Sequence, residues 1–225
     1  MEEKLELVIF DMDGLMIDTE SICIKAWKKT MNKFNLKVEK DFFQDVIGSS
    51  AGILKVKMER VLQDRFDFME VLIHQRKSAA EIVDSEGIER KKGIFELLDY
   101  LEANNIPKAV ASSSFREKVD KYLELTGLTG RFDYIICGDE VAEPKPAPDL
   151  YNNVCDHFTV ERKNIMILED SLNGLNSAKA AGIPKRIYVP DLVILSKEQE
   201  KELVYRKFAS LLEVRGFLEE HKNMI

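Results

Sequence analysis

Residues 5–14 have the sequence LELVIFDMDG, and this stretch decides how the rest of the chain is interpreted. Its first six residues form a mainly apolar run, which is typical of a buried β-strand. Asp11 and Asp13 follow at the carboxyl end of that strand, which is the edge where ligands bind in open α/β sheets. Two carboxylates this close repel each other unless a cation or hydrogen-bond donors offset them. The stretch therefore predicts a divalent metal site, and its hard oxygen ligands favour Mg²⁺.

Beyond residue 87 the sequence alternates between short apolar runs and amphipathic segments. Strands are predicted at residues 108–111, 134–137, 165–168 and 186–189. Helices are predicted between and after them, at residues 94–104, 115–125, 148–158, 171–181 and 198–220. Strands that alternate with helices form parallel sheets with helices on their faces. Together with the first strand, this pattern predicts an α/β fold, a Rossmann-like core of three αβα layers.

Residues 17–87 interrupt this pattern directly after the first strand. They show helical periodicity and no convincing strand, with one helix predicted from residue 19 to residue 34 and further helices between residues 39 and 86. We therefore predict two domains. The catalytic core comprises residues 1–16 plus 88–225, and an inserted, all-α helical-bundle cap comprises residues 17–87.

Polar residues follow four of the predicted strands. They are Asp11 and Asp13, Ser112 and Ser113, Lys145, and Glu169 and Asp170. Because the carboxyl ends of parallel strands share one edge of a sheet, we expect these side chains to converge in one crevice. Acids there can hold Mg²⁺, while a lysine and hydroxyls can hold an anionic group such as a phosphoryl group. Carboxylates are also nucleophiles that form aspartyl-phosphates.

The same residues lie in four motifs that resemble those of the haloacid dehalogenase superfamily. The motifs are FDMDGL at 10–15 with DTE at 18–20, ASSS at 111–114, KPAPD at 145–149, and EDSLNG at 169–174, which continues to AKAAG at 178–182. The closer resemblance is to the phosphatase branch with a helical cap after strand one, the β-phosphoglucomutase-like group. Motif order and spacing match over nearly the whole chain. The resemblance implies a Mg²⁺-dependent phosphatase that hydrolyses a small phosphate monoester, such as a sugar phosphate or a nucleoside monophosphate.

The resemblance also implies a role for each motif residue. Asp11 is the nucleophile that attacks phosphorus, and Asp13 is the general acid for the leaving oxygen and then the base for water. The phosphoryl oxygens are bound by Ser112, Ser113 and Lys145, and Lys145 also offsets the charge around Asp11. The implied metal ligands are Asp11 through its side chain, Asp13 through its backbone carbonyl, Asp170, and Glu169 directly or through water.

A phosphomutase is the first alternative. The β-phosphoglucomutases have a histidine where this chain has Cys23, and a cap arginine where it has Ala51. Both differences weaken that interpretation, because a mutase needs the cap to hold a second phosphate. In the cap, Ser49, Arg76 and Lys77 are candidates for reaching a substrate, and an exposed charged helix face explains them equally well.

Two further alternatives use the same nucleophile differently. A dehalogenase would attack carbon without a metal, and the acids at Asp13, Glu169 and Asp170 argue against it. A phospho-accepting receiver-like signalling domain would use its aspartyl-phosphate to bind a partner. Such domains are about half this length and lack an insert after the first strand.

Composition limits the partners. The chain has 33 Lys+Arg and 40 Asp+Glu, a formal net charge of −7, which disfavours nucleic acid and anionic membranes as partners. A small phosphorylated metabolite is the expected partner. Three scattered cysteines and the absence of a signal-peptide pattern favour a cytoplasmic protein with reduced thiols. We expect a monomer, because no long heptad pattern is present.

Overall fold

The computed structural model describes residues 4–39, 42–43, 51–63, 65–192 and 194–221. The chain divides into two compact units. The first, the core unit, comprises Met1–Ile17 and Glu89–Ile225, and the second, the helical unit, comprises Asp18–Ile88. Each predicted domain boundary lies one residue before the corresponding boundary between these units.

The core unit contains a six-stranded parallel sheet. Its strands are β1 (Leu7–Phe10), β2 (Lys108–Ala111), β3 (Tyr134–Ile136), β4 (Ile165–Glu169), β5 (Lys185–Tyr188) and β6 (Arg206–Lys207). They are arranged in the order β3-β2-β1-β4-β5-β6. The chain therefore builds the sheet outward from β1 on one side and then returns to β4 on the other. This reversal is the topological switch point at which open α/β sheets bind ligands.

Helices follow the strands. In chain order they are α1 (Thr19–Lys33), α2 (Ala51–Leu62), α3 (Phe68–Glu86), α4 (Ile94–Ala103), α5 (Arg116–Leu125), α6 (Asp149–Phe158), α7 (Leu172–Ala180), α8 (Lys197–Leu203) and α9 (Leu211–Glu220). The first three belong to the helical unit and the others to the core unit. The predicted Rossmann-like α/β fold with an inserted all-helical segment is thus confirmed.

Side-chain alternation explains the layers of the core unit. Leu7 and Ile9 of β1 lie in a buried cluster with residues of α6 and α7, such as Val154 and Leu175. The intervening residues of β1 face the opposite side, because successive strand residues alternate between faces. The β1 strand is fully buried, as expected for the centre of a sheet that is covered on both faces.

The prediction of one helix over residues 198–220 is wrong. The segment forms α8, the short strand β6 and α9. The backbone N–H of Tyr205 donates to the Arg186 carbonyl, and that of Phe208 donates to the Tyr188 carbonyl, so β6 pairs with the otherwise open edge of β5. Ser210 then caps α9, because its side chain accepts a hydrogen bond from the Glu213 N–H.

The helical unit has its own apolar core. Trp27 and Met31 of α1, Met58 and Leu62 of α2, and Val71 of α3 are buried in one cluster. Asp18 is the N-cap of α1, because its side chain accepts a hydrogen bond from the Ser21 N–H. Part of the segment that was predicted as helical between residues 39 and 86 lies outside the described residues, and Ser49 is in that part.

Across the part of the chain that the structure describes, no helix combines the length and the apolar character needed to cross a membrane. The three cysteines are free thiols, with Cys137 and Cys155 buried and Cys23 partly exposed.

Candidate active site

Strand register places Asp11 beside Glu169. Phe10 of β1 pairs with Leu168 of β4, and the Asp11 N–H donates to the Leu168 carbonyl at 3.0 Å. Asp11 therefore leaves β1 next to Glu169, the last residue of β4. Both are buried, with Asp11 8 % exposed and Glu169 fully covered.

Lys145 connects these two acids. Its Nζ donates to Asp11 Oδ1 at 2.6 Å, to Glu169 Oε1 at 2.6 Å and to the carbonyl oxygen of Ala111 at 2.7 Å. An ammonium group has three hydrogens, so these contacts use all of them. The Lys145 side chain is only 4 % exposed, so its charge is buried with these acids and is directed at them.

Glu169 is held by further donors. The Tyr151 hydroxyl donates to Oε1 at 2.6 Å, and the Ser171 hydroxyl donates to Oε2 at 3.1 Å. Gly174, in the first turn of α7, passes so close that a Cβ there would lie 1.8 Å from Glu169 Oε1. The glycine thus provides the space that the carboxylate occupies.

The electrostatics of the site follow from burial. Burial raises the pKa of the Asp11 carboxyl to about 8, although the Lys145 ammonium acts in the opposite direction. Burial would lower the pKa of Lys145, but the Asp11 and Glu169 carboxylates outweigh it and raise that pKa well above its ordinary range. Burial, followed by the Glu169 carboxylate, also raises the pKa of Tyr151, which keeps its phenol a proton donor.

Three of the predicted metal ligands lie together. One carboxylate oxygen from each of Asp11, Glu169 and Asp170 lies within 4.8 Å of the others, and all three residues are buried. Buried carboxylates this close repel one another, and a bound cation would reduce that repulsion. The donor set, all carboxylate oxygen, suits a hard divalent cation.

Asp191, after β5, extends this acidic region and was not predicted. Its Oδ1 accepts from Lys91 Nζ at 2.6 Å. Its Oδ2 is buried and has no hydrogen-bond partner among the described residues. A Cβ on Gly14 would lie 2.3 Å from Asp170 Oδ2 and 3.4 Å from Asp191 Oδ2, so both carboxylates lie close to Gly14, on the side where a Cβ would project.

The serine loop, residues 112–114, follows β2 and contacts Asp13 through Ser114. Ser112 is buried, and its hydroxyl accepts a hydrogen bond from the Ser114 N–H at 3.1 Å. Ser113 is exposed. The loop is fixed by the segment after β3, because the Gly138 N–H donates to the Ser114 carbonyl and a Cβ on Gly138 would lie 2.3 Å from the Ser113 carbonyl oxygen.

The Asp13 carboxylate accepts hydrogen bonds from two side chains that the sequence did not predict. Ser114 Oγ donates to Asp13 Oδ2 at 2.7 Å, and Lys118 Nζ donates to Asp13 Oδ1 at 2.8 Å. The Asp13 side chain thus contacts α5 and the serine loop, whereas Asp11 contacts Lys145. The nearest signal in the sequence is the four-residue spacing of Ser114 and Lys118 at the start of a predicted helix.

The structure therefore brings together Asp11, Asp13, Ser112, Lys145, Glu169 and Asp170 at the carboxyl ends of β1, β2 and β4. In the helical unit, Arg76 and Lys77 are exposed on α3, and Cys23 accepts a hydrogen bond from Gln75 Nε2 at 3.8 Å.

Comparison with known proteins identifies the family. The family model described as haloacid dehalogenase-like hydrolase matches residues 8–187. A phosphorylated carbohydrates phosphatase of Thermotoga maritima is 30% identical over 186 residues, which are 82% of this chain and 84% of that protein. A Drosophila melanogaster protein named "Probable pseudouridine-5'-phosphatase" is 28% identical over 84% of this chain and 83% of its own.

A solved structure shares the fold. The β-phosphoglucomutase of Clostridium difficile superposes with a TM-score of 0.72 at 21% identity, covering 97% of each chain. The protein belongs to the haloacid dehalogenase-like hydrolase family, as its motifs predicted. The Thermotoga maritima and Drosophila melanogaster relatives are both named as phosphatases, which supports the class of phosphoric monoester hydrolases for this enzyme.

Proposed function

We propose that this enzyme is a Mg²⁺-dependent phosphatase that hydrolyses a small phosphate monoester through an aspartyl-phosphate on Asp11. One observation carries the proposal, the buried cluster in which Lys145 joins Asp11 to Glu169 while Asp170 lies within 4.8 Å of both acids. A nucleophilic carboxylate, a fixed cation and a set of oxygen ligands are what phosphoryl transfer to an acid requires.

The metal would be held by Asp11, Glu169 and Asp170, with the Asp13 backbone carbonyl as the further predicted ligand. The buried Asp191 Oδ2 beside Asp170 supports this assignment, because an unsatisfied carboxylate oxygen can accept from water around a cation. When bound, Mg²⁺ would favour the ionised form of Asp11 and withdraw charge from the phosphoryl oxygens.

Each step is assigned to a residue of this chain. Asp11 attacks phosphorus as the carboxylate, and Lys145 keeps its oxygen oriented. The Ser112 hydroxyl accepts from the backbone, so its own proton can point to a phosphoryl oxygen. Asp13 gives a proton to the leaving oxygen as the phosphorus–oxygen bond breaks, and then takes a proton from the water that hydrolyses the aspartyl-phosphate.

The proposed substrate is a sugar phosphate or a nucleoside monophosphate. The similarity to a phosphorylated carbohydrates phosphatase supports the first class, and the similarity to the protein named as a pseudouridine-5'-phosphatase supports the second. The phosphomutase alternative has weaker support, because Cys23 and Ala51 replace the histidine and arginine of the β-phosphoglucomutases.

The test is phosphate release from a panel of hexose 6-phosphates, β-glucose 1-phosphate and nucleoside monophosphates, with Mg²⁺ and with a chelator. We expect Mg²⁺-dependent release that Asp11→Asn abolishes, and an acid-quenched phosphorylated chain in the wild type but not in the variant. Asp99→Asn is the matched control, because Asp99 is an exposed acid of α4 that pairs with Arg131.

Three outcomes would contradict the proposal. Conversion of β-glucose 1-phosphate to glucose 6-phosphate without phosphate release would make the enzyme a mutase. Full activity in Asp11→Asn would exclude the proposed nucleophile. A phosphorylated chain that turns over slowly and binds a protein partner would favour the receiver-like alternative.

A further inference from the structure

The Asp13 carboxylate is held from both sides. Lys118 Nζ lies 2.8 Å from Asp13 Oδ1, and Ser114 Oγ lies 2.7 Å from Asp13 Oδ2. Lys118 Nζ also donates to Ser114 Oγ at 2.9 Å, so the three side chains form a closed triangle. All three residues belong to the core unit.

Two lysines supply positive charge here, and each contacts a different aspartate. Lys145 directs its three hydrogens to Asp11, Glu169 and the Ala111 carbonyl. The charge of Lys145 therefore acts on Asp11, the proposed nucleophile, and on Glu169. Charge that appears on Asp13 is met by Lys118, whose ammonium forms a salt bridge with it.

Lys118 is also presented by a fixed element. It lies in the first turn of α5, and Ser114 directly precedes Phe115, the N-cap of that helix. The neighbouring Arg116 guanidinium holds that turn by contacts of 3.0 and 2.6 Å with the two carboxylate oxygens of Glu140. A bidentate contact of this kind restricts orientation as well as distance.

We propose that Lys118 is a positioning residue for Asp13, and this inference rests on the acid–base role proposed for Asp13 above. As the phosphorus–oxygen bond breaks, its electron pair stays on the leaving oxygen, which takes the proton of Asp13. Asp13 becomes a carboxylate in a crevice that already holds Asp11, Glu169 and Asp170. The Lys118 ammonium keeps its own protons, offsets that new charge and holds the carboxylate in one orientation with Ser114.

The test uses the leaving group, because general acid catalysis matters only when the leaving oxygen needs a proton. The value of kcat/KM reports all steps up to departure of the leaving group. We expect Lys118→Met to lower kcat/KM by about tenfold or more for a hexose 6-phosphate, within the usual range of general acid effects. For p-nitrophenyl phosphate, whose leaving group departs without protonation, we expect a change of less than about threefold.

Asp13→Asn provides the benchmark and should discriminate between the two esters in the same direction and more strongly. Lys118→Arg keeps the charge and should restore part of the hexose phosphate activity. Lys121→Met is the matched control, because Lys121 is an exposed lysine of the same helix, and both rates should stay at the wild-type level. The Lys118 side chain is 40% exposed, and exposed ion pairs contribute little to stability, so the variants should fold.

Two results would overturn the inference. In the first, Asp13→Asn discriminates between the esters, but Lys118→Met lowers kcat/KM equally for both esters or leaves both unchanged. Lys118 then does not position the acid, and the proposed function stands. If Asp13→Asn itself does not discriminate, the acid role of Asp13 fails, and the role of Lys118 fails with it. Thermal unfolding of each variant identifies any loss that arises from misfolding.

Discussion

Gly174 sets the position of the Glu169 carboxylate at the scale of a single residue. A Cβ at this position would lie 1.8 Å from Glu169 Oε1. The carboxylate has little freedom to move away, because Lys145, Tyr151 and Ser171 each donate to it. A side chain that is usually flexible is here fixed from several directions.

Gly174→Ala should therefore lower both stability and activity. Inserting a methyl group into a filled site costs about 1–3 kcal/mol, and displacing a catalytic group by 1 Å can cost roughly 100-fold in rate. Urea unfolding and phosphate release measure the two effects. Gly216→Ala is the control, because Gly216 lies in α9 with nothing within 4 Å of an added Cβ, and alanine there should stabilise the helix by about 0.5–1 kcal/mol. Equal behaviour of the two variants would mean that Glu169 is free to shift.

The residues that sequence could predict are those that directly follow a strand. Asp11, Ser112 and Glu169 are adjacent to apolar runs, so their place at the sheet edge follows from the strands alone. Lys118 was not predictable in this way, because its contact with Asp13 depends on the rotation of α5 about its axis. Asp191 lies two residues after the predicted strand at 186–189, but its proximity to Asp170 depends on Gly14, far away in the sequence.

The start of α3 shows how one side chain defines an element. Asp67 accepts hydrogen bonds from the N–H groups of Met69 at 2.8 Å and Glu70 at 3.1 Å. These are donors that the first turn of a helix cannot satisfy internally. The cap therefore fixes where α3 begins, and α3 in turn supplies Val71 to the core of the helical unit.

Asp67→Ala should destabilise the helical unit by about 0.5–2 kcal/mol, and Asp67→Asn, which keeps an accepting oxygen, should cost less. Trp27 is the single tryptophan of the chain and is buried in the same cluster as Val71, so its fluorescence reports the unfolding of this unit. Denaturant midpoints of the three proteins provide the comparison. An alanine variant that unfolds at the wild-type midpoint would show that the cap contributes nothing.

The last three elements mark the limit of prediction at the element scale. Residues 198–220 contain enough helix-forming residues to suggest one continuous helix. The break occurs because Arg206 and Lys207 add a strand to the edge of β5, a long-range contact that local propensity does not describe. Ser196 and Ser210, the N-caps of α8 and α9, were the local signals that two helices begin here.

At the scale of the whole molecule, alternation of strands and helices was enough to predict a parallel sheet with an inserted helical segment. It was not enough to predict the strand order, which depends on how each connection crosses the sheet. That order places β1 between β2 and β4, and so puts Asp11, the proposed nucleophile, between the serine loop and the acids at the end of β4. The chemistry of the site is thus a consequence of topology.

The same arrangement predicts that a cation bound at the acidic cluster would stabilise the core unit. Asp11, Glu169 and Asp170 place carboxylate oxygens within 4.8 Å of one another, and the Lys145 ammonium contacts Asp11 and Glu169. Folding must bring these charges together, whereas the unfolded chain keeps them apart. A cation that binds the folded state and not the unfolded chain stabilises by an amount that grows with its concentration.

We therefore expect Mg²⁺ to raise the midpoint of thermal unfolding above its value in a chelator. At a Mg²⁺ concentration 100 times the dissociation constant, the gain should be about 2.7 kcal/mol. Asp170→Asn removes one ligand and should lose most of this gain, whereas the exposed Asp99→Asn should keep it. Scanning calorimetry with and without Mg²⁺ provides the measurement. If Mg²⁺ raised the unfolding midpoint equally in the wild type and in Asp170→Asn, Mg²⁺ would bind elsewhere on the protein. The carboxylates of the site would then have no part in the stabilisation.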